Sequence, residues 1–414
     1  MPISRRHFVR VLSATGAAAA LAGLDRSAQA LAGQWSAAAG PSTPGTLVLV
    51  TLSGGNDALN TVAPIDDPRY RAARGALALD PTTAHPLGDG FALHPSLTGL
   101  KGLWDAQRLA VVRGVGFPGL DRSHFHCMDV WQAGDEDDHT TGWLGRWLDA
   151  VGTTPLDAIA VGRDLPLALR GATRSAAVVP VGPFELPGDA SLRRAFTTLC
   201  AAETRRPPLH ALVASTMADL LAVVDQVGPI GAGIGSADEL LDEGDDDQAG
   251  GADGAPTGGG RASGLAGQFE VVARGIEAGL PARVWSVSLG GFDTHANQAA
   301  THEALLAELD GAVSAFVTRM GLRPVTVAVY SEFGRRVTSN GSAGTDHGTA
   351  GTMLLAGTVQ PGFHGDPPPF DQLHDGDLVT TVDFRSVYGG VLQGVLGMDA
   401  ADVFPDGPAP LAVV

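Results

Sequence analysis

Carboxylates and imidazoles recur just beyond three short apolar runs: Asp57 after Leu47 to Leu52, Asp293 and His295 after Val284 to Leu289, and Asp346 with His347 one loop beyond Val325 to Tyr330. His364 follows 17 residues after His347. Aspartate oxygens combined with neutral imidazole nitrogens suit Zn, Mn or Fe, whereas carboxylates without histidine lean toward Mg or Ca. Asp57, Asp293, His295, Asp346, His347 and His364 can therefore assemble one or two divalent-cation sites. Two cations would neutralise an oxyanion while activating a water or a side-chain nucleophile. Each of these residues is also an ordinary turn or cap residue. Recurrence at three strand ends is what points to one centre.

A second group is the run Arg122, Ser123, His124, Phe125 and His126, which opens an amphipathic stretch reaching Trp131 and Gln132. Ser123 can cap that helix, and a helix amino terminus can hold an oxyanion. Activated by a metal or a base, Ser123 can instead serve as a covalent nucleophile. His124 and His126 can bind a metal or substrate, or His124 can simply brace the loop. Arg335 can clamp a phosphate or carboxylate, or pair with Glu332 at the surface. Asp129 and the tight loop Thr141 to Arg146 lie where a pocket could form. Trp131, Trp143, Met128 and Met353 are read as packing residues, and Asp383 as the cap of the last helix.

Positioning these groups requires strands that end at one edge. Short apolar strands are expected at Leu47 to Leu52, Leu109 to Val112, Ala158 to Val161, Ala177 to Val179, Val284 to Leu289 and Val325 to Tyr330. Between them, Ser96 to Gln107, Leu192 to Thr204, His210 to Val224, Leu265 to Ile276 and His302 to Met320 carry helical apolar spacing. The alternation predicts an α/β fold, a three-layer αβα sandwich around a mostly parallel sheet. An open sheet of that kind places ligands beyond the carboxyl ends of its strands. The 56 Gly and 27 Pro lack any collagen-like period and indicate long structured loops.

The amino terminus reads as an export signal. Ser4, Arg5, Arg6 and Phe8 form a twin-arginine pattern, followed by a weakly apolar run from Val11 to Leu24 and the small triplet Ala28, Gln29, Ala30. That run is short for a bilayer crossing. Residues 1–30 are therefore expected to be a cleaved signal, 31–45 a flexible linker, and 46–414 a single domain without a membrane span. The expected partner for export is the twin-arginine translocon, and the destination is periplasmic or extracellular. Such a route suits a protein that folds, often around a metal, before it crosses.

Removing residues 1–30 takes away four Arg and one Asp and moves the formal charge from −18 to −21. So acidic a chain is a poor general ligand for nucleic acid or anionic membranes. Much of the acidity falls in 235–261, read as a solvated, mobile insertion that lacks the ordered spacing of a calcium-binding loop. Cys127 and Cys200 can form at most one disulfide, and nothing resembles a thiolate metal cluster.

Taken together, Gly54 to Asn60, Arg122 to Phe125, Thr141 to Arg146, Gly290 to His295, Ser331 to Arg335 and Asp346 to Gly348 resemble the DUF1501 family of exported bacterial proteins. These pieces span nearly the whole mature chain. The family in turn is similar to the alkaline phosphatase and sulfatase superfamily, whose members hold one or two divalent cations beyond a parallel sheet and cleave phosphate or sulfate esters. That resemblance implies Asp57 as the early metal aspartate, Ser123 as the nucleophile, Asp346 with His347 as an adjacent metal pair and His364 as a late metal histidine. The chain departs from the pattern at Asp293, where the fourth residue onward is Asn297 and a histidine comes only two positions on, at His295. No Cys-x-Pro-x-Arg motif surrounds Ser123, which disfavours formylglycine sulfatase chemistry. The implied activity is that of a metal-dependent hydrolase or phosphoryl-transfer enzyme acting on small-molecule or glycan esters. The alternative is a non-enzymatic envelope protein that binds an anionic glycan or peptide.

Overall fold

Alternation along the strand β1 (Thr46–Leu52) divides the molecule into layers. Successive side chains of a strand point to opposite faces, and here Leu47 and Leu49 enter one apolar cluster while Val48, Val50 and Leu52 enter another. A strand buried on both faces in this way belongs to a sheet covered on both sides. The computed structural model describes residues 45–185, 190–200, 208–234 and 264–414. The expected signal at 1–30, nearly all of the linker and the acidic insertion at 235–261 lie outside the described residues.

After β1 come α1 (Ala58–Thr61), β2 (Val62–Ala63), α2 (Pro68–Arg74), β3 (His85–Gly88), β4 (Phe91–Leu93), α3 (Thr98–Asp105) and β5 (Leu109–Gly116). Next are α4 (His124–Ala133), α5 (Trp143–Val151), β6 (Ala158–Val161), β7 (Ala177–Val179), α6 (Ala190–Cys200), α7 (Pro208–Gly231) and α8 (Leu265–Glu277). The chain then runs through β8 (Val284–Leu289), α9 (Gln298–Met320), β9 (Val325–Ser331), β10 (Gly351–Gly357), β11 (Gly362–His364), β12 (Val382–Asp383) and α10 (Phe384–Val391).

Nine of these strands form one sheet in the order β11, β5, β10, β9, β1, β8, β6, β7, with β12 also on β5. Every pairing is parallel except those that β10 makes with β5 and β9. Residues from α4, α5 and α10 pack with Leu47 and Leu49, while residues from α3, α8 and α9 pack with Val48 and Val50. The expected three-layer arrangement with a mostly parallel sheet is therefore the observed one. A small antiparallel sheet, β2 to β4, lies apart from it.

All six expected strands form. The antiparallel β10 was not expected: its apolar run, Met353 to Ala356, is short, and the strand begins and ends with glycine. Helix α7 extends beyond the expected Val224 to Gly231. Within it, Val213–Gly231 is long and apolar enough by composition to cross a membrane, whereas no span was expected in the mature chain. The same stretch carries Asp219 and Asp225 and places Val223, Val224, Val227 and Ile230 in the apolar core. Cys127 and Cys200 are free thiols, Trp131 and Trp143 are buried, and Asp383 caps α10 by accepting from the Arg385 amide.

The register sets the functional edge. Leu52 at the end of β1 is level with Leu289 of β8 on one side and Ser331 of β9 on the other. The three following loops therefore leave the sheet side by side. Because β10 runs antiparallel, the connection from β9 to β10 stays at this same edge, and it carries Asp346 and His347. Two glycines permit the close packing of these loops. A Cβ on Gly54, at φ +117°, would lie 2.4 Å from the Asp293 amide nitrogen, and one on Gly55, at φ +69°, would lie 2.3 Å from the Phe333 ring.

Candidate metal centre

Three side chains from three loops converge on one point. His124 is the first residue of α4, Asp293 follows β8, and His347 lies between β9 and β10. His124 Nε2 is 3.0 Å from His347 Nε2 and 3.4 Å from Asp293 Oδ1, and His347 Nε2 is 3.1 Å from that same oxygen. These three form a group of the kind that can hold a metal ion. His295 adds a second triangle on the shared edge, its Nε2 lying 2.9 Å from His347 Nε2 and 3.0 Å from Asp293 Oδ1.

The other face of each imidazole explains why these nitrogens matter. His124 Nδ1 lies 2.7 Å from Glu332 Oε1, His347 Nδ1 lies 3.0 Å from the Arg122 carbonyl, and His295 Nδ1 lies 3.0 Å from Asp346 Oδ1. An ionised carboxylate or a carbonyl only accepts, so each Nδ1 donates, and in the neutral ring each Nε2 is left with a lone pair directed at the hub. The lone pairs of His124 and His347 and the Asp293 oxygen, 3.0 to 3.4 Å apart, repel one another unless a proton or a cation lies among them. Zinc bonds of about 2.0 to 2.1 Å to nitrogen or oxygen separate neighbouring ligand atoms of a tetrahedron by roughly 3.3 Å, close to the spacing found here. Two imidazoles and one carboxylate leave a coordination position for water or substrate, an arrangement compatible with Zn or Fe.

The electrostatics have the same sense. Burial disfavours charge on His124, but its hydrogen bonds to Asp293 and Glu332 and their charges outweigh that and push its pKa up to about 9. Burial likewise opposes ionisation of Asp293, and hydrogen bonds from His124, His347 and Arg335 overcome it, holding the carboxyl far below the usual range. Such a field attracts positive charge, and a divalent cation competes with the proton for it.

Arg335 holds the loops together and is no substrate clamp. Its side chain is fully buried. It donates to the carbonyls of Gly54, Gly55, Phe292 and Thr345 and to Asp293 Oδ1, so one guanidinium pins the ends of β1 and β8 to the loop after β9. The expected ion pair to Glu332 is replaced by this set. Glu332, almost fully buried, instead accepts from the Gly54 amide and from His124.

Three expected metal ligands stand elsewhere. Asp57 is sealed in an ion pair with Arg74, both side chains fully buried, and also accepts from Gln298, so its oxygens are already used. His364, on β11, hydrogen-bonds to the Gln360 carbonyl. Asp346 is more than half exposed and engages His295 and Asn340, which orients His295 and leaves Asp346 outside the hub. Asn297, in the position where the resemblance would have a histidine, precedes α9 in a left-handed conformation, and His295 supplies the imidazole beside Asp293. With Asp57 committed to Arg74, a second cation site built on it does not form. His124, read from the sequence as a ligand to metal or substrate or as a loop brace, is among the possible metal ligands.

Ser123 caps α4, its Oγ accepting from the His126 amide at 3.4 Å. Two contributors carried no usable sequence signal: Arg74, which closes the Asp57 pair across 17 residues, and the Arg122 carbonyl, a backbone group. Glu332 had a faint one, a carboxylate immediately following β9.

The family model described as "Protein of unknown function (DUF1501)" matches residues 236–387. That stretch contains Asp293, His295, Glu332, Arg335 and His347 but not His124, and it is shorter than the whole-chain resemblance expected from the motifs. No curated protein sequence matches the chain. Among solved structures, the C-terminal periplasmic domain of EptC from Escherichia coli, in complex with Zn, is 8% identical over 76% of this chain and 74% of that one, with a TM-score of 0.33. The protein Ps i-CgsB is 9% identical over 88% of this chain and 75% of its own, with a TM-score of 0.37. Alkaline phosphatase from the Antarctic bacterium TAB5 is 8% identical over 76% and 91%, with a TM-score of 0.34.

Proposed function

We propose that the protein is a metal-dependent hydrolase or phosphoryl-transfer enzyme, acting outside the cytoplasm on phosphate or related esters. One observation carries this reading: the Nε2 atoms of His124 and His347 and Oδ1 of Asp293 meet within 3.4 Å, with both imidazoles held by acceptors on their far side. His124, Asp293 and His347 would hold a divalent cation, with His295 beside them. A cation there supplies neutralisation of developing negative charge and lowers the pKa of a bound hydroxyl.

The remaining chemistry belongs to the chain. Ser123 is adjacent to His124 at the start of α4, and because its Oγ accepts in the cap contact, that contact does not engage the hydroxyl proton. Ser123 Oγ attacks the phosphorus or sulfur of the ester as its proton passes to solvent, the bond to the leaving oxygen breaks as that oxygen takes a proton from solvent, and water then releases the acid and restores the Ser123 hydroxyl. Glu332 and the Arg122 carbonyl keep the two imidazoles in the tautomer that a cation requires. Arg335 fixes Asp293.

The test is metal content followed by turnover. Full-length protein produced through its own export route should retain about one equivalent of Zn, Mn or Fe, and Asp293→Asn and His347→Ala should lose it while remaining folded. The loaded protein should hydrolyse 4-nitrophenyl phosphate or sulfate, and Ser123→Ala should abolish that activity with the metal still bound. Folded protein that neither retains nor takes up metal would sink the proposal in favour of a non-enzymatic envelope protein. Metal retention without turnover of either ester would leave a binding protein.

A further inference from the structure

A cavity of about 360 Å³, lined by none of the hub residues, is walled by Leu59, Phe91, Phe370 and Leu378, with Arg113 in its lining. Arg113 comes from β5, a strand buried almost throughout, and is itself half-buried. Its guanidinium lies over a pair of aromatic rings that touch each other at 5.5 Å, 5.0 Å from the Phe91 centroid and 4.4 Å from that of Phe363. Nη2 donates to the Gly365 carbonyl at 2.9 Å, whereas Nε is buried without a partner. Among the described residues Arg113 forms no direct ion pair; burial pulls its pKa down, and the charges of Asp89 and Asp366 only partly offset that. The contrast with the other cation at the rim is direct, since Arg69 is matched by Asp67 through two side-chain hydrogen bonds.

A half-buried guanidinium whose Nε lacks a partner has an unmet donor, and an arginine over aromatic rings is suited to meet a planar anion. We infer that this cavity is a binding site for a ring-bearing monoanion whose carboxylate or sulfo group pairs with Arg113 and whose flat apolar body lies against Phe91 and Phe370. The restriction to one charge follows from the rim. Asp66 and Asp89 are exposed there and repel further negative charge. The volume falls in the range of small-molecule sites, which are largely apolar with a few placed polar groups. The site needs neither the metal nor the ester chemistry proposed above.

The experiment uses three probes of one shape on the full-length protein: 2-naphthoate, 2-naphthol and 2-naphthylmethylamine, compared by calorimetry. 2-Naphthoate should bind at least tenfold more tightly than the other two. Arg113→Met should weaken 2-naphthoate at least tenfold and erase the preference, whereas Arg113→Lys should keep the preference for the anion. Without ligand, the Tm of Arg113→Met should stay close to that of the parent, because the guanidinium is half-exposed and methionine keeps the apolar contact with the rings. Equal binding of the three probes by the parent protein would overturn the assignment. So would undiminished binding of 2-naphthoate by Arg113→Met, or failure of that variant to fold, which would make the guanidinium a structural group.

Discussion

Asp57 and Asp293 follow β1 and β8, two paired strands whose last residues, Leu52 and Leu289, are in register. Both are aspartates in Gly-rich turns at one edge of one sheet, and their surroundings differ completely. Asp57 faces a dedicated guanidinium, that of Arg74, with Gln298 on the same carboxylate and Thr345 behind Gln298. Next to this pair, His302 bonds Asn56 and Asn56 accepts from Thr61, all of them buried. Asp293 is about half exposed, and its Oδ1 is shared by Arg335 and three imidazoles. A carboxylate matched by one fixed cation is finished as structure. One matched by rings with lone pairs at the hub retains an appetite for an added cation.

The contrast is tested most severely at Arg74. Removing one partner of a buried ion pair leaves an uncompensated charge, at a cost of about 3 to 5 kcal/mol. Arg74→Met should lower the stability measured by urea unfolding by that amount, while the folded fraction binds metal as the parent does. A small stability change, or lost metal binding with stability intact, would erase the distinction between the two regions.

The next effect is a pH dependence. Burial pushes the pKa of His302 down from 6.5 to about 4. Between those values the unfolded chain takes up a proton that the folded chain refuses, so stability should fall as the pH is lowered from 6.5 toward 4, by up to about 3 kcal/mol. His302→Gln should flatten this part of the profile. If the slope survives the substitution, it arises elsewhere.

The smallest effect sharpens the comparison on the open side. Glu332 orients His124 without reaching the hub. Glu332→Gln should weaken metal affinity about tenfold, measured by competition with a chelator, as is usual for a residue one step behind a ligand. Its Tm should move far less than that of Arg74→Met. A variant that binds metal as tightly as the parent would show that Glu332 does not set the orientation of His124.

Much of the scaffold was legible in the sequence because burial on both faces writes strands such as Leu47 to Leu52 as unbroken apolar runs. The same runs located the loops of the site, and with them Asp293, His295 and His347. Which carboxylate joins the hub was not legible. That depends on partners brought up by the fold, such as Arg74 for Asp57, and no local pattern announces a contact between loops. His364 shows the limit of spacing by motif order: it follows His347 by 17 residues, yet it stands on β11 with its imidazole on the nearby Gln360 carbonyl. Strand β10 escaped for a different reason, since a short glycine-bounded run does not state its direction.

The place of β1 in the sheet has a consequence for synthesis. Its partners on either side, β8 and β9, lie far along the chain, and Thr46 is level with Val325. At ribosomal rates of about 5 to 20 residues per second, β1 waits roughly 15 to 60 s for its second neighbour to be made. Until β8 is made this apolar strand has both edges unpaired, and until β9 is made one edge stays open and the loops that Arg335 will join are still separate. His347 comes later still. The hub can therefore close only when nearly the whole polypeptide has left the ribosome, and nascent chains stalled before β9 should depend on a chaperone to stay soluble.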